Sequence, residues 1–62
     1  MDPDANLNEQ REIVAAIIAL QAQRGPLDTD ALEQLAIRLA DLVDSLDGWI
    51  AGGGFLPARW RR

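Results

Sequence analysis

Six apolar residues in the second half of the chain, Leu32, Leu35, Leu39, Leu42, Leu46 and Trp49, step alternately by three and four. That spacing lays all six along one side of an α-helix. Ala36, Val43 and Ile50 follow on one flank and widen the seam into a stripe. One neighbouring helix covers the ladder, but the flank stays wet unless a further helix reaches it. The pattern therefore predicts a helix over about residues 29–51 that belongs to a bundle. Ile37 falls on the far side and reads as a lone exposed aliphatic, or as the mark of another contact.

The first half repeats the helical period less cleanly. Leu7, Ile13, Val14, Ile17, Ile18 and Leu20 form a broad stripe, with Asn8, Glu12, Ala15, Ala19 and Gln23 opposite. The paired Ile and Val residues also suit a strand, yet Ala15, Ala16, Ala19 and Ala22 favour helix and the period is sustained too long for a strand. A helix over about residues 7–24 is expected. Met1 to Asn6, with Pro3 and two Asp, has little to bury and is expected to fray before the helix, with Asp4 or Asn6 as the candidate cap.

Between the helices, Arg24-Gly25-Pro26 is a stop signal, since Gly accepts the left-handed conformation and Pro cannot donate the next backbone hydrogen bond. Asp28 is the expected cap of the second helix, with Leu27 and Leu32 spaced as a hydrophobic staple. Asp30 and Glu33 add negative charge to its first turn, where the helix dipole favours it. So short a link makes the helices antiparallel neighbours. Gly52-Gly53-Gly54 ends the second helix, leaving residues 52–62 as a tail. The expected fold is all-α: one domain over residues 1–62, an antiparallel two-helix hairpin.

Sixty-two residues rarely bury enough apolar surface to offset the entropy of ordering the chain, so a staple is expected. Disulfides are excluded because there is no Cys, and without Cys or His a structural zinc site has only carboxylates to draw on. Self-association or a protein partner remains. The expected oligomer interface comprises Val14, Ile17 and Ile18 of the first helix with Leu32, Leu35, Leu39, Leu42, Val43, Leu46, Trp49 and Ile50 of the second. A dimer or tetramer of hairpins then forms a bundle of four or more helices.

Charge is distributed unevenly. Residues 1–47 hold all ten acids and three bases, Arg11, Arg24 and Arg38, whereas the last fifteen residues hold Arg59, Arg61 and Arg62 and no acid. The net charge of −4 repels phosphate backbones at long range, so nucleic acid is an unlikely general partner. The rival reading is a small DNA-binding regulator, in which a dimer presents paired Arg-rich tails. Met1 to Asn8 carries Asp2 and Asp4 where a signal peptide is basic, and no apolar run is long enough to cross a bilayer, so a cytoplasmic location is expected.

Catalytic groups are scarce: no His, Cys, Lys or Tyr, and two hydroxyls, Thr29 and Ser45, with no general base beside them. The triple Gly follows a helix rather than a strand and lacks the Lys-Ser or Lys-Thr of a phosphate loop. Asp41, Asp44 and Asp47 share a helix surface but lack the tight turn and carbonyls of a calcium site, so they read as a solvated face. They oppose the dipole at the end of their helix, and the arginine tail is the candidate counter-charge. No enzyme activity, metal or cofactor is expected.

Three roles are open to the tail, one of them a weak contact of its arginines and Trp60 with anionic lipid. Phe55 and Leu56 fit an apolar fold-back onto the last helical turn near Trp49 and Ile50. Alternatively Phe55, Leu56 and Trp60, with Arg59, Arg61 and Arg62 at the rim, form a docking element for a partner. Leu46-Asp47-Gly48-Trp49-Ile50, Gly53-Gly54-Phe55-Leu56-Pro57 and Trp60 together resemble the ends of small uncharacterised proteins encoded by actinobacterial phages. The resemblance spans about fifteen residues and adds no mechanism. It implies a phage or GC-rich bacterial origin, and with it a non-catalytic protein that occupies a surface of a host or phage protein.

Overall fold

A computed structural model describes residues 1–61 of the chain. Arg62, assigned above to the tail, lies outside the described residues. Two α-helices, α1 (Pro3–Ala22) and α2 (Thr29–Ala51), are followed by a single 3-10 turn over Ala58–Trp60, and there is no strand among the described residues. The helices pack against each other and run antiparallel: Asn6 of α1 bonds to Leu42 of α2, while Glu9, one turn further on, pairs with Arg38, one turn back.

Helix α1 begins four residues earlier than the sequence pattern suggests. Asp2 is its cap, in extended conformation, with its carboxylate accepting from the backbone N–H groups of Asp4 and Ala5 at 3.0 and 3.1 Å. Pro3 follows as the first helical residue, where its missing N–H costs nothing and its fixed φ suits the helix. The segment expected to fray is therefore the first turn of α1, and Pro3 is fully buried. The other end falls two residues short of the expected boundary, at Ala22. Gly25 takes the left-handed conformation, at φ +98°, but inside the loop rather than against the helix end.

Asp28 caps α2 by accepting from the N–H of Ala31 at 3.0 Å. The C-terminus of α2 closes on the glycines. Gly53, at φ +92°, donates to the Ile50 carbonyl, and Gly54 donates to the Trp49 carbonyl at 2.8 Å. This pair of reversed bonds around a left-handed residue satisfies carbonyls that the helix itself leaves free. Gly54 is required for a second reason: a Cβ there would collide with the Trp49 indole.

The hairpin is a single layer of two helices, and most domains of a stable size stack two. Its radius of gyration is 13.8 Å, where a compact chain of this length has about 10.6 Å. Leu7, Ile13, Leu42 and Leu46 are the buried hydrophobic side chains. Leu7, Leu42 and Leu46 lie toward the end of the hairpin where α1 starts and α2 finishes, and Ile13 lies near the middle of α1. Every residue from Gln21 to Asp30, at the loop end, is exposed.

Candidate functional site: an apolar face and a returning tail

The two broad faces of the hairpin follow from its helical phases. Glu9 and Arg38 pair bidentately, at 2.6 and 2.9 Å, and so mark one face. With about 100° per residue, Ser45 and Asp41 lie on that same side of α2, which is polar. The opposite side of each helix is largely apolar. On α1 it carries Leu7, Val14, Ile17 and Ile18 with Arg11 in the same phase; on α2, Ala36, Leu39, Ala40, Val43 and Ile50, with Asp47 among them and Asp44 at the outer edge.

Part of this apolar face is open. A shallow groove of about 560 Å³ is lined by Ile17, Ala36, Leu39, Ala40 and Val43 and edged by Asp44 and Asp47. Of the residues expected at an oligomer interface, Val14, Ile18 and Val43 are exposed, Ile18 at 59% of its surface. Ile17, Leu32, Leu35, Leu39, Trp49 and Ile50 are half-buried. Leu42 and Leu46 are buried within the single hairpin. Ile37 is exposed on the far side of α2, as its phase requires.

The tail crosses the end of the hairpin where α1 starts, and its Trp60 reaches the apolar face. After the glycine stop, Phe55 sets its ring edge-on to Trp49, with centroids 5.4 Å apart and planes at 89°, and the Trp49 indole N–H donates to the Phe55 carbonyl at 2.9 Å. Pro57 is fully buried, and the N–H of Ala58 donates to the Asp4 carboxylate. The tail thus returns to the first turn of α1. Trp60 then lies back over the apolar face, where it lines a smaller cavity of about 180 Å³ with Gln10, Val43, Leu46, Asp47 and Ile50. Val43 and Asp47 belong to both cavities, so the tail ends where the open groove begins.

The fold-back of Phe55 near Trp49 is present, although Phe55 keeps 57% of its surface exposed and Leu56 is also exposed. Trp60 is divided between both roles, packed in its own chain yet 45% exposed. The arginines do not neutralise the acids of α2 in the way the sequence suggests. Among the described residues Arg38–Glu9 is the one ion pair, and Arg59 and Arg61 have none. The tail backbone bonds to Asp4 of α1, and although Trp60 shares a cavity with Asp47, no arginine pairs there among the described residues. Asp41, Asp44 and Asp47 project without converging, and no group of three acids suited to a metal exists among the described residues.

Asn6, a candidate cap by sequence, is instead a buried polar residue within α1, since Asp2 caps the helix. It sits on the inner stripe of α1, 8% exposed, donating its amide N–H to the Leu42 carbonyl at 3.0 Å and accepting from the Gln10 amide at 2.7 Å. A buried amide with both ends satisfied fixes register rather than adding much net stability. Its signal was available: Asn6, Gln10, Ile13 and Ile17 follow the helical spacing, with two polar members where core residues are expected. The Arg38 guanidinium bonded to Glu9 lowers that carboxyl below its ordinary value, and Glu9 in turn raises Arg38.

No helix of the described residues is long and apolar enough to cross a membrane. No protein-family model, curated protein or solved structure matches this chain.

Proposed function

We propose that this protein is a non-catalytic interaction module that self-associates through the apolar face, so that two or more hairpins form a bundle of at least four helices. The observation that carries the reading is the open stretch of that face, from Ile17 to Val43, left bare on a single-layer hairpin. Val14, Ile18 and Val43 are each about half exposed, and covering them contributes on the order of 1 kcal/mol per side chain. Two hairpins stacked face to face supply that cover with the same surface twice, as a two-fold interface does. The resemblance of residues 46–60 to phage-encoded proteins extends the proposal to an accessory protein that docks on a host or phage protein, with the exposed side chains of Phe55, Leu56 and Trp60 as its contact.

Sedimentation velocity combined with circular dichroism over a dilution series tests the core of this reading. A dimer or tetramer whose helicity falls on dilution is expected. Full helicity in a strict monomer at micromolar concentration overturns it.

A further inference from the structure

We infer that the end of the tail is a releasable strap, closed over one end of the apolar face, and that self-association has to open it. The inference rests on the self-association proposed above and adds its regulation: the chain's own tail competes with the second copy for that end of the face.

The path of the tail is that of a strap. Trp49 lies within about 20° of Arg38 around α2, so the tail leaves the helix on its polar side. The chain then crosses the start of α1, with Pro57 fully buried and the Ala58 N–H on the Asp4 carboxylate. Trp60 comes down on the opposite side, in the cavity it shares with Val43, Leu46 and Ile50. Gly52, Gly53 and Gly54 stand at the root of this path, and Gly53 holds φ +92°. Three residues without side chains make a pivot there once the Gly54 bond to the Trp49 carbonyl opens.

The strap is lightly held. Beyond Pro57, the bond from Ala58 to Asp4 is the one polar contact with the helices among the described residues, and Trp60 keeps 45% of its surface in solvent. A segment with so few buried contacts belongs to the low-stability end of local opening. What it occupies is contested surface. Val43 and Asp47 line both the Trp60 cavity and the open groove, so a second copy seated in the groove competes with Trp60 for both. Lifting the strap carries the accessible apolar stripe on from Val43 to Ile50, about 10 Å along α2. While the strap is closed, only the open fraction of each copy is competent for the longer interface. The apparent dissociation constant rises accordingly, once for each copy.

Residue-resolved hydrogen exchange on the full chain, run over a concentration series beside sedimentation velocity, tests the strap. As the dimer fills, the Ala58 amide is expected to lose protection while the amides of α2 gain it. Equal or greater protection of Ala58 in a filled dimer overturns the strap and leaves self-association intact. Ala58→Pro opens the strap from the other direction. It removes the N–H that Asp4 accepts, at the first position of the 3-10 turn, and Pro57, at ψ 146°, already has the extended conformation that a following proline requires. With helicity checked by circular dichroism, this variant is expected to tighten the dimer about two- to tenfold, the worth of one hydrogen bond. Trp60→Ala is expected to tighten it as well. No change or weakening in Ala58→Pro overturns the strap, and weakening in Trp60→Ala does so by assigning Trp60 to the interface. A wild-type chain that stays a strict monomer overturns the self-association proposed above; dimerisation of Ala58→Pro then upholds the strap as what suppresses it, and a monomeric variant overturns both.

Discussion

The two ends of this hairpin are made from similar materials and reach different outcomes. At the tail end, Leu7, Leu42 and Leu46 are buried, Asn6 ties α1 to α2, and the tail closes over the top through Pro57, Ala58 and Trp60. At the loop end, Val14, Ile18 and Leu27 are as apolar as their counterparts and stay exposed. The difference is a third element. Two helices bury one line of contact between them, and a residue off that line is covered only where another segment crosses it. The ten described residues of the tail do at one end what nothing among the described residues does at the other.

The contrast can be broken most sharply in the core. Leu46→Ala is expected to cost about 2–5 kcal/mol, because a residue 3% exposed leaves a cavity that a two-helix layer fills poorly. Ile18→Ala, measured by urea denaturation at the same low protein concentration, is expected to cost under about 1 kcal/mol. Equal costs in dilute solution would mean that the loop end is buried after all. A growing cost of Ile18→Ala with concentration would locate its burial in the assembly.

Gly54→Ala probes the tail's anchorage. Its Cβ meets the Trp49 ring, so either the indole or the tail must shift, at about 1–3 kcal/mol. The expected signature is a red-shifted Trp fluorescence and faster proteolysis after residue 54, with α1 and the loop unchanged. Gly53→Ala, at φ +92°, is expected to cost about 1 kcal/mol through backbone strain and to release the tail in the same way.

Asn6→Asp is expected to lose about 1–3 kcal/mol, since a carboxylate cannot donate to the Leu42 carbonyl and faces it instead. The loss should shrink as pH falls and the carboxyl gains a proton it can donate, which a stability profile between neutral and acid pH would reveal. Retained stability at neutral pH would show that the amide does not set the register.

The smallest effect belongs to the exposed pair of Glu9 and Arg38. Arg38 lowers the Glu9 carboxyl, so its contribution is present above the ordinary value of 4.5 and is lost as pH falls through the lowered folded value. Solvent on both side chains keeps that contribution slight. Glu9→Gln is expected to flatten the acid limb of the stability profile modestly and to leave oligomer size unchanged, because the pair lies on the polar face.

Much of the architecture was legible along the chain. Alternating steps of three and four from Leu32 to Trp49 permit a helix and exclude a strand, Asp28 and the triple glycine mark its ends, and a six-residue link forces the antiparallel return; these are local rules of backbone geometry, acting within a few residues. Asp2-Pro3 belongs with them, as a cap followed by a proline fitted to the first helical position. Its signal was overshadowed by the polarity of the segment, whose burial depends on a tail some fifty residues away. Only the tertiary structure decided which apolar residues were spent inside. Leu42 and Leu46 are buried while Val43 faces outward, Asn6 is buried although polar, and the tail backbone bonds to Asp4 while no arginine pairs with the acids of α2 among the described residues. Those outcomes depend on the rotation of one helix about the other and on where a flexible segment comes to rest, and no periodicity within a single helix encodes either.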